Sequence, residues 1–174
     1  MQNKELTIHF IMTWWTIDSY YESTKDTAIP NEHSIIPRFI NSLHLENSVE
    51  FTEICMKDSR QMTKDDLKNV LHCIEESKNK YFIVTHGTYT MPDSARYLEA
   101  NLRNKGKVII LTGSMLPMAE FTMSDGWFNL GYAIWQIKAG LPNGIYVCMN
   151  WSTFSSIEVI KVVSEWRFSS ILWE

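Results

Sequence analysis

Short apolar runs separated by amphipathic stretches set the pattern of this chain. Runs at residues 6–12, 49–56, 81–85, 108–112 and 144–149 are long enough for strands and too short for independent helices. Between them the period lengthens. From Thr63 onward, Leu67, Val70, Leu71 and Ile74 fall on one face and lysines and glutamates on the other. Thr63 is a helix cap whose partner is Asp66, which reaches back to complete a capping box. A second helix is predicted to start at Pro92, to bury Ala95, Leu98 and Leu102, and to end at Gly106. A third runs from Ser124 or Asp125 through Leu130, Ala133, Ile134 and Ile137 to Gly140. Strands alternating with helices predict βαβ units and a mainly parallel sheet. No internal repeat, low-complexity tract or linker interrupts the pattern, and the Ser-rich stretch 151–156 is expected to be a mobile loop.

Three of the apolar runs end in hydroxyl side chains. Tyr81-Phe82-Ile83-Val84 leads into Thr85-His86-Gly87-Thr88-Tyr89-Thr90-Met91, which meets the helix beginning near Pro92. Thr13-Trp14-Trp15-Thr16-Ile17-Asp18-Ser19 follows the first run, and Leu111-Thr112-Gly113-Ser114-Met115 closes a later one. In a parallel α/β sheet, the carboxyl ends of the strands are where ligands bind.

Composition narrows the choice. At 174 residues, 45% of them hydrophobic, the chain is expected to form one domain over residues 1–174. The formal charge is -4 and the lysines are dispersed, which argues against nucleic acid as a partner. The opening residues suit neither a secretory signal nor a membrane span, so no membrane association and a cytoplasmic location are expected. Cys55, Cys73 and Cys148 have no close spacing and read as free thiols, without a zinc pattern. No glycine-rich phosphate fingerprint occurs, so no cofactor is expected.

Together, His86-Gly87-Thr88-x-Thr90-Met91, Leu111-Thr112-Gly113-Ser114-Met115 and Ser124-Asp125-Gly126-Trp127-Phe128-Asn129-Leu130 closely resemble motifs of the L-asparaginase/glutaminase family of bacterial-type amidohydrolases. The resemblance runs from the first strand to about Lys161. It implies a single flavodoxin-like or Rossmann-like α/β domain of the asparaginase N-terminal type; family members normally carry a further, smaller C-terminal domain, which is not expected in these 174 residues. It implies hydrolysis of a small carboxamide, L-asparagine or a related amide, through a threonyl acyl-enzyme with release of ammonia. Thr16 matches the nucleophile, and Thr88 matches a second threonine that works with a lysine matching Lys161. Ser59 matches a substrate-holding serine, although a turn residue would also be a serine there. Gly87, Tyr89 and Ser114 complete the expected substrate contacts. For Gly87 and Gly113 a purely conformational role is an equal alternative. Family members build sites at subunit contacts, so a homodimer or higher homo-oligomer is expected.

The residues themselves add conditions. A lysine serves as a base only when burial or nearby charge lowers its pKa from about 10.4, and Lys161 lies between Val159-Ile160 and Val162-Val163. His86 is expected to fix the strand end by hydrogen bonding. Asp125 is expected to cap a helix and Asn129 to satisfy buried backbone.

The chain also departs from the family. Trp14-Trp15 replaces a glycine pair before the nucleophile, so two indoles are expected to crowd the first loop. Tyr89 replaces an aspartate that could pair with a substrate's ammonium, and Trp127 replaces a proline. These departures keep two alternatives in view: a catalytically silent small-ligand-binding relative, and an oligomeric interaction module docking through exposed tryptophans.

Overall fold

The computed structural model describes residues 6–13, 16–55, 61–119 and 123–172. In chain order these residues form β1 (Thr7–Met12), β2 (Ser19–Glu22), β3 (Thr27–Pro30), α1 (Ile36–Ser42), β4 (Ser48–Glu53) and α2 (Lys64–Glu76). There follow β5 (Tyr81–Thr85), α3 (Met91–Asn101), β6 (Val108–Thr112), α4 (Gly126–Lys138), β7 (Gly144–Met149), β8 (Ser152–Ser155), β9 (Val159–Val162) and β10 (Arg167–Ser170).

The main sheet has the order β4-β1-β5-β6-β7-β8. Its first five strands are parallel, and β8 adds antiparallel to β7. Counting only the parallel strands in sequence, the order is second, first, third, fourth, fifth, which is the flavodoxin-like arrangement. The chain leaves β1 toward one edge, returns on its other side as β5, and continues outward. The carboxyl ends of β1 and β5 therefore flank the switch point, where loops diverge and leave a crevice.

Both faces of the sheet are covered. Ile8, Phe10, Ile83 and Ile110 pack with Ile36 and Ile40 of α1 and Leu130, Ala133 and Ile137 of α4. On the opposite face Phe82, Val84, Ile109 and Val147 pack with Val70 and Ile74 of α2 and Ala95 and Leu98 of α3. Burial on both sides explains why these strands are nearly continuous apolar runs. The capping box at α2 forms as the sequence predicts: Asp66 N–H donates to Thr63 Oγ1 at 3.2 Å, and Thr63 N–H donates to Asp66 Oδ2 at 2.8 Å.

Two expectations need correction. The stretch 151–156 is not a loop but mainly strand β8. A two-residue turn at Asn150 and Trp151, with φ of 52° and 63°, folds it back on β7. Two successive positive φ values match the twist of a tight hairpin, and the serines gave no strand signal. Trp151 is also held by rings: its indole lies 5.2 Å from Phe128 and 4.9 Å from Tyr132 between centroids. Helix α3 ends at Asn101, five residues before Gly106, because Leu102 turns extended at φ -66° and ψ 121°. The hairpins β2–β3 and β9–β10 and the short α1 lack a clean period in sequence; pairing across each hairpin stabilises its two strands.

Candidate active site at the switch point

The loops at the sheet's carboxyl edge are tied to one another by the hydroxyls that end the strands. Thr13 donates twice to Thr85 O, from its backbone N at 3.2 Å and its Oγ1 at 2.8 Å. His86 N donates to Thr112 O at 2.8 Å, and Thr112 Oγ1 donates to Cys148 O at 2.8 Å. Each strand end is thereby fastened to the next, and the residues that follow diverge from a fixed base.

After β1 the chain makes a 3-10 turn at Thr16–Asp18. Asp18 anchors it. Its fully buried carboxylate accepts from Ser34 Oγ and Ile35 N, both at 2.8 Å. Burial, reinforced by the like charge of Glu53, outweighs those hydrogen bonds and pushes its pKa up to about 6. After β5, the buried His86 imidazole donates from Nδ1 to Gly87 O at 2.9 Å, and burial pushes its pKa down to about 4. A neutral ring bonded to its own loop is a positioning group. That agrees with the strand-end role read from sequence.

Gly113, after β6, is required by space: a Cβ there would lie 2.3 Å from His86 O. Asp125 precedes α4 but makes no side-chain cap to it. Its carboxylate instead accepts from Met115 N, at 2.9 and 3.0 Å to its two oxygens, and from Leu116 N at 3.1 Å. The expected helix cap is thus a loop clamp. Asn129 satisfies buried backbone as predicted, donating to Gly113 O at 2.9 Å and accepting from Asn150 N at 3.0 Å.

The hairpin β9–β10 supplies the cation. Lys161 lies on β9 opposite Phe168, and its Nζ donates to Thr88 Oγ1 at 2.6 Å. Partial burial, by stripping water from the ammonium, holds the lysine pKa below its usual range. Thr88 is itself buried. Thr16, Thr88, Tyr89 and Lys161 all line one cavity of about 320 Å³, with Met115, Val163 and Trp166 forming the rest of the described wall. Residues more than 140 positions apart in sequence meet there, since Thr16 follows β1 and Lys161 and Trp166 belong to the terminal hairpin.

A family model described as "Asparaginase, N-terminal" matches residues 7–170. The chain belongs to the asparaginase family. It is 39% identical over 89 residues to L-asparaginase 1 of Escherichia coli, a match covering 50% of this chain and 26% of that protein. It is 32% identical over 118 residues to the L-asparaginase of Thermococcus kodakarensis, covering 67% and 35%. The solved structure of that thermostable L-asparaginase superposes with a TM-score of 0.83 at 26% identity, covering 97% of this chain and 52% of the other. The chain therefore spans about half the length of the solved asparaginase it resembles.

Within this asparaginase-family domain the sequence-predicted residues divide. Thr16, Thr88, Tyr89 and Lys161 are brought together. Gly87 is buried between His86 and Thr88, and its carbonyl holds the imidazole. Ser114 is buried with no hydrogen-bond partner for Oγ among the described residues, and it is Met115, one residue on, that reaches the cavity wall. Ser59, Trp14 and Trp15 lie outside the described residues. Met115, Val163 and Trp166 were not predicted. Trp166 could have been suspected only from its place between two short alternating runs, since its left-handed φ of 52° gives no sequence signal in a tryptophan. Among the described residues, no group of three or more His, Cys, Asp or Glu is arranged to hold a metal. No helix among them is long and apolar enough to cross a membrane.

Proposed function

We propose that this domain is an asparaginase-type amidohydrolase that hydrolyses a small carboxamide through a threonyl acyl-enzyme. Thr16 is the nucleophile, and Thr88 and Lys161 handle the proton. The observation that carries this reading is the 2.6 Å contact from Lys161 Nζ to Thr88 Oγ1 on the wall of a cavity that Thr16 also lines.

The chemistry follows from the groups present. A threonine hydroxyl attacks a carbonyl only when its proton has somewhere to go. A desolvated lysine spends more of its time neutral than an exposed one, and neutral Nζ accepts a proton through the Thr88 hydroxyl. Thr16 Oγ bonds to the carbonyl carbon, the C–N bond breaks, and the nitrogen leaves as ammonia carrying the transferred proton. Water then attacks the ester, returning the proton to Thr16 Oγ and releasing the carboxylic acid.

L-Asparagine and related amides are the first substrates to test, because the relatives named above are L-asparaginases. A homo-oligomer belongs to the same proposal. Its support is an exposed aromatic ledge in which Trp135 and Trp151 stack at 6.4 Å, both more than half exposed. The deciding experiment is an ammonia-release screen across asparagine, glutamine and simple amides. Ammonia above the background of a Lys161→Met variant is the expected result. Amide-dependent thermal stabilisation without ammonia would instead favour the silent binder.

A further inference from the structure

The cavity wall is chemically lopsided. At one end stand the hydroxyls of Thr16 and Thr88 and the nitrogen of Lys161; the remaining described wall is Tyr89, Met115, Val163 and Trp166. No carboxylate occurs on that described wall. Acidic groups on the neighbouring segments have other partners: Asp93 pairs with Arg96 at 2.9 Å, Asp125 holds the Met115 and Leu116 amides, and Glu158 accepts from Ser155 N at 2.6 Å.

A ligand entering this space with a free ammonium would lose water beside a lysine and gain no described anion in return. Aromatic faces attract cations, but here the nearby lysine opposes a second positive charge. An uncharged ring or alkyl group meets two aromatic side chains, a thioether and a valine, which are groups that favour apolar contact. Both Tyr89 and Trp166 are more than half exposed, so covering them is favourable for an apolar ligand.

We propose that this site prefers an uncharged carboxamide bearing an apolar or aromatic acyl group over a zwitterionic amino-acid amide, with Tyr89 and Trp166 as the specificity-determining residues. This rests on the amidohydrolase reading for its chemistry, but not for the binding preference. The amide carbonyl lies toward Thr16, Thr88 and Lys161, and the acyl substituent lies against Tyr89 and Trp166.

Binding and turnover test the two readings separately. Affinities of 3-phenylpropanamide, propanamide and L-asparagine are measured by calorimetry on Thr16→Ala, with Thr88→Ala as a second background if the first does not fold. Ammonia release is measured on the wild type with the same three compounds. We expect 3-phenylpropanamide to bind at least tenfold more tightly than asparagine. Trp166→Ala should lower its affinity several-fold while leaving propanamide unchanged. Tyr89→Asp should shift the ratio at least tenfold toward asparagine. Asparagine binding as tightly as the aromatic amide, an unchanged ratio in Tyr89→Asp, or no binding of the aromatic amide overturns the preference. Should the preference hold while no compound yields ammonia, the amidohydrolase reading falls and the binding inference stands. Preferential release of ammonia from asparagine gives the converse.

Discussion

Replacing Asp18 by asparagine should stabilise the domain near neutral pH, although it removes a charge that accepts hydrogen bonds from Ser34 and Ile35. Asp18 is buried, and its pKa rises from 3.8 to about 6. That rise corresponds to about 3 kcal/mol favouring the protonated over the ionised form in the folded state. For a group raised on folding, the stabilising contribution is fully present below the unfolded value and is lost as pH rises through the folded one. The relevant window is therefore 3.8 to about 6. Asparagine mimics the protonated acid: its Oδ1 still accepts from Ile35 N, and its Nδ2 donates to Ser34 Oγ. Urea unfolding of both proteins should show Asp18→Asn more stable above that window, by up to about 3 kcal/mol, with the gain shrinking toward zero below it. His86, pushed down from 6.5 to about 4, works in the opposite sense, because its neutral form is favoured and stability falls on acidification. It is present in both proteins and cancels in the difference. A gain that does not vary with pH, or a loss above the window, would refute the reasoning.

Lys161→Met should reduce ammonia release by about 10²- to 10⁴-fold. In the wild type, activity should rise with pH along a limb lying below the usual lysine range, since burial lowers that pKa and the proposed mechanism uses the neutral amine as base; a pH–rate profile checks both. Gly113→Ala places a Cβ 2.3 Å from His86 O, so thermal unfolding should show a loss of about 1–3 kcal/mol and the loop bearing Met115 should shift. Light scattering at micromolar concentration should give at least a dimer, and a clean monomer would remove the oligomer from the proposal.

The parallel sheet was legible because strands buried on both faces leave an unbroken apolar record, and α2 was legible because its capping box is local. What escaped was structure created by pairing. Strand β8 consists of Ser152, Thr153, Phe154 and Ser155, a composition that resembles a loop until β7 is beside it. Helix α1 is seven residues long and has Pro37 in its first turn, too short to display a period. At the site, Thr16, Thr88 and Lys161 could be named from motif resemblance. Their meeting with Trp166 depends on the register of β9 against β10, which no local signal encodes. Asp125 shows a related limit: a carboxylate before a helix looks like a cap, but the nearest unsatisfied amides belonged to the loop across from it.

The central claim is that Thr16 carries the acyl group. Mass spectrometry of acid-quenched wild-type protein, mixed with an amide from which it releases ammonia, tests it directly. The peptide containing Thr16 should gain the mass of the acyl moiety, and Thr16→Ala should show neither the adduct nor ammonia. An adduct on another residue, or undiminished ammonia release by Thr16→Ala, would contradict the account.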